Sequence, residues 1–356
     1  MMRRVAHVSP LPRRVTRPFL AHRRLVLALV AFAVLVGVTY TYLQAPILWF
    51  VHVGHGAVPT PSESGGERLL IIAPHPDDDV LSLGGTMAVT AKSGGSILVV
   101  YLTSGDANRA GERLITMVPF LSASAFRALG GRREKEAVLA LSRLGISAEN
   151  ALFLNYPDQG LMDLVTAHWA SDTPYRSRYT AEEATYSRTA YRRGAAYSGE
   201  NVLADLVDII GQYRPTKVFV PHPSDTHPDH GAGYFLGTLA VETALARDPS
   251  AAPYEVRCYL THSMERPWPS PRGVGLQREM EVPRTILKLD SWESTPLPPW
   301  SVRAKLAAIR SHFSQWWTSG RTLATFARAN EICMVVRVDA TGIVPHWPFG
   351  LVPGSL

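Results

Sequence analysis

The chain has 356 residues, 46% hydrophobic and 19% charged, with a net charge of +6 and two cysteines. That suits one large or two modest globular units and excludes a disulfide framework. The basic excess sits in Arg3, Arg4, Arg13, Arg14, Arg17, Arg23 and Arg24, ahead of every acidic residue; the remainder is near neutral, so the charge is no argument for nucleic-acid binding.

Residues 1–24 form a basic, proline-containing tail. Leu25 to Leu43 follows with no charge and is almost wholly apolar. About 20 such residues span a bilayer, and the residues 25–45 are expected to form a single transmembrane anchor. Basic residues on the N-terminal side place that end in the cytoplasm and the rest of the chain outside; the opposite orientation is the alternative. A cleaved signal peptide is the rival reading, but no small-x-small cleavage site follows Tyr42. Residues 46–67 are expected to be a juxtamembrane segment and linker, rich in Gly, Pro and Ser from residue 54.

From residue 68 the pattern alternates. Strand-like runs are Leu69–Ala73, Ile97–Leu102, Ala151–Asn155, Lys217–Pro221, Val256–Thr261 and Ile332–Val338, with helical patterns near 80–93, 126–144, 201–213 and 231–247. This predicts an α/β domain over 68–356, with a mostly parallel, Rossmann-like sheet and helices on both faces. Cys258 and Cys333 lie in apolar strand-like runs and are expected to be buried free thiols. Residues 163–199 interrupt the rhythm with interleaved tyrosines and arginines and are a candidate substrate lid. Residues 264–300, rich in Pro and Trp, are a second irregular segment, and no role is assigned to residues 264–356.

Two strand ends carry the chemistry. The first strand runs into His75-Pro76-Asp77-Asp78-Asp79, and Pro76 biases His75 to an extended turn. Three consecutive carboxylates repel one another unless a cation sits among them. The strand at 217–221 runs into His222-Pro223-Ser224-Asp225-Thr226-His227-Pro228-Asp229-His230. Either cluster alone reads as a polar loop. Both together, each with His-Pro-Asp after a strand, point to a metal. A catalytic zinc needs three protein ligands and an open position. His75, Asp78 and one histidine of the second cluster supply three, leaving Asp77 and another histidine for proton transfer in metal-assisted hydrolysis.

At these residues the chain resembles the LmbE-like (PIG-L) zinc-dependent de-N-acetylases. Lesser matches are Leu102-Thr103-Ser104-Gly105-Asp106, Arg133 with Glu136, and Tyr156-Pro157-Asp158, so the resemblance covers roughly residues 68–262. It implies Zn2+ held by His75, Asp78 and His230. It implies Asp77 as general base, His227 as the protonated imidazole assisting at the carbonyl, and Asp229 orienting His227. Arg133 and Asp158 match positions that contact the sugar. Asp79 departs from the glutamate usual there.

The expected activity is removal of acetyl from an N-acetylated amino sugar, as a glycoside or glycolipid, by a membrane-anchored enzyme that needs no nucleic acid; protein partners are not indicated. A metal-dependent amidase acting on another small conjugate and a non-catalytic carbohydrate-binding module are the alternatives. The second is disfavoured because His75, Asp77, Asp78, His227 and His230 are all present. A dinucleotide-binding oxidoreductase would need Gly-x-Gly-x-x-Gly after the first strand, where this chain has acids.

Overall fold

The structure is a computed structural model that describes residues 22–32, 35, 47–54, 56–61, 66–108, 122–248, 255–288, 291–336, 338–339 and 342–343. It divides into two compact units, residues 1–45 and 46–356. In the first, residues 22–32 and 35 are helical and exposed. Most of the expected anchor beyond residue 32, and the tail before residue 22, lie outside the described residues. Among the described residues no helix is long and apolar enough to cross a membrane.

The second unit is built on a seven-stranded sheet. Its strands are β1 (Arg68–Ala73), β2 (Ser96–Thr103), β3 (Ala151–Tyr156), β4 (Lys217–Pro221), β5 (Glu255–Tyr259), β6 (Trp292–Pro296) and β7 (Asn330–Val336). Their spatial order is β3-β2-β1-β4-β5-β7-β6. The first five are parallel, while β7 runs antiparallel to both β5 and β6. The sheet is therefore mixed, with its antiparallel part at one edge. Strand β6 lies inside the segment expected to be irregular.

Strands β1 to β4 are largely apolar on both faces because both faces are covered. On β1, Leu69, Ile71 and Ala73 join one core with Val80, Met87, Tyr101, Leu141 and Leu306, whereas Leu70 and Ile72 join the other with Leu206, Ile209, Leu236 and Val241. Helices α1 (Asp78–Lys92), α2 (Ala123–Arg143) and α6 (Pro299–Arg310) supply the first layer. Helices α3 (Leu161–Thr166), α4 (Gly199–Tyr213) and α5 (Pro228–Arg247) supply the second, and α7 (Phe313–Leu323) follows α6. Gly84 and Gly85 let α1 and the C-terminal part come close. A Cβ at Gly84 would lie 2.9 Å from Lys305 Cγ, and one at Gly85 would lie 2.3 Å from Leu297 Cδ1. Beneath them the fully buried Lys305 Nζ bonds Glu331 Oε1 at 2.6 Å, and Glu331 also accepts from the Gly85 and Thr86 N–H groups.

Part of the segment expected as a linker is packed: Val51 and Val53 lie against one core and Val58 against the other. Cys258 and Cys333 are buried, as expected.

Candidate metal centre and its cleft

The strand order reverses at β1, which has β2 on one side and β4 on the other. At such a switch point the loops beyond adjacent strand ends part and leave a crevice. The two polar turns read from the sequence follow β1 and β4, so they meet here. A cleft of about 720 Å³ opens above them, lined among others by His75, Asp77, Asp78, Arg133, Asp158 and His227.

Asp78 stands at the centre. Its Oδ2 accepts the His75 backbone N–H at 2.9 Å and lies 3.2 Å from His75 Nδ1 and 3.1 Å from His230 Nε2. Burial acts to raise its pKa, but His230 and the hydrogen bonds around it hold it well below the usual carboxylate range. His75 Nε2 faces Asp229 Oδ2 at 3.2 Å and Asp158 Oδ1 at 3.3 Å. Burial alone would lower His75; those carboxylates hold it well above the ordinary imidazole value. In the same way burial is outweighed at His230 by Asp225 and Asp78, which raise it to about 10.

The residues fit a cation. His230 is fully buried, and neither ring nitrogen makes an aligned hydrogen bond despite carboxylates at 3.1 Å on both sides. A buried imidazole left so is unfavourable, and a cation at Nε2 removes the deficit. Among the described residues three overlapping donor groups have ligand atoms within 4.8 Å of one another: His75–His227–His230, Asp225–His230–His262 and His75–Asp158–Asp229. Nitrogen and oxygen donors at this density suit zinc.

Asp77 lies at the N-terminus of α1 with φ at 142°, a conformation costly for a non-glycine residue. Burial pushes its carboxyl up to about 6 against the opposing charge of Arg133. Arg133 itself is buried and committed to the scaffold. Nη1 donates to Gly105 O at 2.6 Å and Nη2 to Pro76 O at 2.9 Å, with Asp77 Oδ1 at 3.4 Å. It lines the cleft, but these bonds tie it first to the turn that carries Asp77. Asp158 also lines the cleft, accepting from Ala107 N–H at 2.7 Å beside His75.

Two details differ from the sequence expectations. The Asp229 carboxylate does not reach His227: it accepts from the Gln159 and Leu161 N–H groups at 2.7 and 3.1 Å, and only its backbone N–H bonds His227, at Nδ1, 3.2 Å. That bond caps α5 and fixes the neutral ring with its proton on Nε2. Burial and the neighbouring His75, His230 and His262 also lower the pKa of His227 to about 4, against the protonated imidazole expected there. Asp79 is fully buried; its Oδ2 takes the Tyr101 hydroxyl at 2.8 Å, and burial pushes it up to about 7.

Residue spacing along the chain singles out neither Asp225 nor His262. Asp225 lies within the quoted turn, and the signal for His262 was its place just after β5, next to β4 in the sheet. The cleft also takes a wall from beyond the motifs: Arg266, Trp268 and Arg272 from the irregular segment, and Gln315 and Thr322 from α7. Gln315 reaches the turn itself, donating to Pro76 O at 3.2 Å. From residues 163–199, Tyr179 lines the cleft, while Tyr186 bonds Asp106 and Arg192 pairs with Asp205.

Residues 70–241 match the family described as PIG-L, GlcNAc-PI de-N-acetylase. The chain is 31% identical over 265 residues to a protein of Mycobacterium sp. (strain JLS) named 1D-myo-inositol 2-acetamido-2-deoxy-alpha-D-glucopyranoside deacetylase, covering 70% of this chain and 74% of that one. It is 30% identical over 205 residues to deacetylase 1 of the same name from Catenulispora acidiphila, covering 56% of this chain and 54% of that one, about half of that relative's length. Among solved structures, the N,N'-diacetylchitobiose deacetylase from Pyrococcus horikoshii is 22% identical with a TM-score of 0.47, over 83% of this chain and 91% of that one.

Proposed function

The chain belongs to the PIG-L family, and from that premise we propose that it is a zinc-dependent hydrolase removing the acetyl group from an N-acetylated glucosaminide. The observation that carries the reading is the meeting of His75, Asp78 and His230 around one carboxylate oxygen, with Asp77 beside them on the cleft floor. His75, Asp78 and His230 would hold the metal. When bound, it supplies Lewis acidity toward a water and the acetamido carbonyl.

The protein groups do the rest. Asp77 removes a proton from the attacking water, and its raised pKa places it near the operating range of a general base. The His227 Nε2–H points the other way in polarity and donates to the carbonyl oxygen as charge develops there. Arg133 keeps Asp77 in place through Pro76 and Gly105. Water oxygen joins the acyl carbon, the C–N bond breaks, and the abstracted proton passes to the leaving nitrogen, giving acetate and a free amine. Asp158, with its carboxylate in the cleft, is the proposed sugar contact, and residues 163–199 act as a lid through Tyr179.

The relatives' names favour an inositol-linked or similar acetamido glucoside as substrate. The proposal places the catalytic domain on the outer side of a membrane, held by residues 25–45. Its support is the arginine-only tail, the uncharged run after it, and the helical state of residues 22–32. Acetate release from a panel of N-acetyl glycosides and glycolipids, followed by mass spectrometry with the zinc-loaded protein, tests the activity. Release from acetamido glucosides is expected; hydrolysis of other amides only would overturn the sugar assignment. Protease added to intact cells tests the orientation, since digestion only after lysis contradicts an outward domain.

A further inference from the structure

Asp225 is a buried carboxylate surrounded by donors. Oδ1 accepts the His227 backbone N–H at 3.0 Å and faces His262 Nδ1 at 3.1 Å. Oδ2 accepts the Thr261 and His262 N–H groups at 3.0 and 2.8 Å. A carboxylate only accepts, so His262 Nδ1 carries a proton, and whenever the ring is neutral Nε2 is left with a bare lone pair. His262 lines the cleft with its side chain 42% exposed, its ring 5.4 Å from that of His227 and 4.7 Å from that of His230. His227 has the reverse polarity, because its Nδ1 accepts the Asp229 N–H and its Nε2 carries the proton. One wall of the cleft thus presents an imidazole donor beside an imidazole acceptor.

The two polarities suit two different substrate groups. A carbonyl oxygen takes the donor. An acceptor beside it is satisfied only by an O–H or N–H, and a sugar ring offers hydroxyls around its acetamido group. We propose that His262 is a substrate-contacting specificity residue that accepts a hydrogen bond from a sugar hydroxyl at Nε2, with Asp225 as the positioning residue that sets its tautomer. This rests on the acetamido-sugar reading above. It lies beyond the residues matched to the family, which end at 241. A site built around such a bond rejects a substrate lacking the hydroxyl, because the acceptor is then left unpaired.

The test has two arms. Nitrogen NMR of the imidazoles at mildly alkaline pH reads the tautomers directly. Nδ1–H is expected at His262, changing to a mixture in Asp225→Asn, and Nε2–H at His227; a bare Nδ1 at His262 overturns the proposal. Calorimetry in the zinc-loaded Asp77→Asn background, which keeps the metal but blocks turnover, then measures methyl N-acetylglucosaminide and its monodeoxy analogues against the wild-type His262, His262→Phe and His262→Gln. Wild type should bind one analogue about tenfold or more weaker than the parent. His262→Phe should bind that analogue and the parent alike, and His262→Gln, which keeps an acceptor, should restore part of the difference. Equal losses in wild type and His262→Phe for every analogue overturn the proposal. No binding of any acetamido glycoside sinks the sugar reading instead, and the tautomer arm still decides the polarity of His262.

Discussion

Asp78 Oδ2 and His230 Nε2 lie 3.1 Å apart, although one residue follows β1 and the other follows β4. Neither turn has a metal site alone. Zinc-loaded protein is expected to hold about one metal per chain, the number a single three-ligand centre supports. His75→Ala, Asp78→Ala and His230→Ala should each lose most of it, and Asp77→Asn should keep it. Elemental analysis of the purified variants decides, and a fully loaded His230→Ala protein contradicts the ligand set.

Asp77 and His227 should separate from the ligands by their kinetics. Asp77→Asn and His227→Ala are each expected to lower kcat by about 10²–10⁴-fold with metal retained. Because burial raises Asp77 to about 6, the base is protonated below that pH, and activity should fall there. That acidic limb should vanish in the residual activity of Asp77→Asn. Arg133→Met, which has no donor for Pro76 O or Gly105 O, should lower kcat more than it raises KM; a pure KM effect would make Arg133 a sugar contact alone.

Asp225 supports the ring of His230 from behind, Oδ2 to Nδ1 at 3.1 Å. Partners in that position orient a metal-binding imidazole, and losing one typically weakens metal affinity 10–100-fold. Competition between Asp225→Asn and a chromophoric chelator should show a loss of about that size, and unchanged affinity would leave Asp225 only its role at His262.

Lys305 on α6 and Glu331 on β7 form a fully buried pair, and Glu331 also accepts from the middle of α1. Lys305→Met leaves Glu331 charged without its cation, a change that costs about 3–5 kcal/mol when a buried pair is broken. The Gly85 and Thr86 donors to Glu331 remain, which puts the expectation at the lower end. Urea unfolding measures it, and a loss under about 1 kcal/mol would mean that those donors suffice.

His312 is fully buried, and among the described residues neither ring nitrogen has a hydrogen-bond partner. Burial, with the charge of Arg133, lowers it from 6.5 to about 3. Between those values the unfolded chain binds a proton that the folded chain does not. Stability should therefore fall as pH drops through that window, by up to about 1.4 kcal/mol per pH unit from this residue. Tm measured against pH should be flatter for His312→Phe than for wild type; parallel curves would show that His312 is protonated in the fold.

Much of this protein was legible in order along the chain. The apolar runs ending in His75-Pro76-Asp77-Asp78 and before His222-Pro223 marked β1 and β4 because a strand buried on both faces must be apolar throughout, and polar residues there can only begin a turn. Strand bounds came within about two residues because these signals are local. The expected helices were right for the same reason. What stayed hidden was whatever needed a neighbour distant in sequence. β6 was not expected, since its exposed Glu293, Ser294 and Thr295 have no strand-like pattern and pair only because β7 lies alongside.

The sequence by itself determined the chemistry available, because a histidine or a carboxylate is a ligand or a base by its own atoms. Only the tertiary structure decided which of them act on one another. Pairing β4 against β1 brings Asp78 to His230, β5 against β4 brings His262 to Asp225, and α7 brings Gln315 to the turn after β1. It also took the Asp229 carboxylate away from His227, since the N–H groups of Gln159 and Leu161 lie within its reach. Hydrogen bonds and cation ligation act over about 3 Å, so their partners are set by strand order, which residue spacing along a chain does not encode.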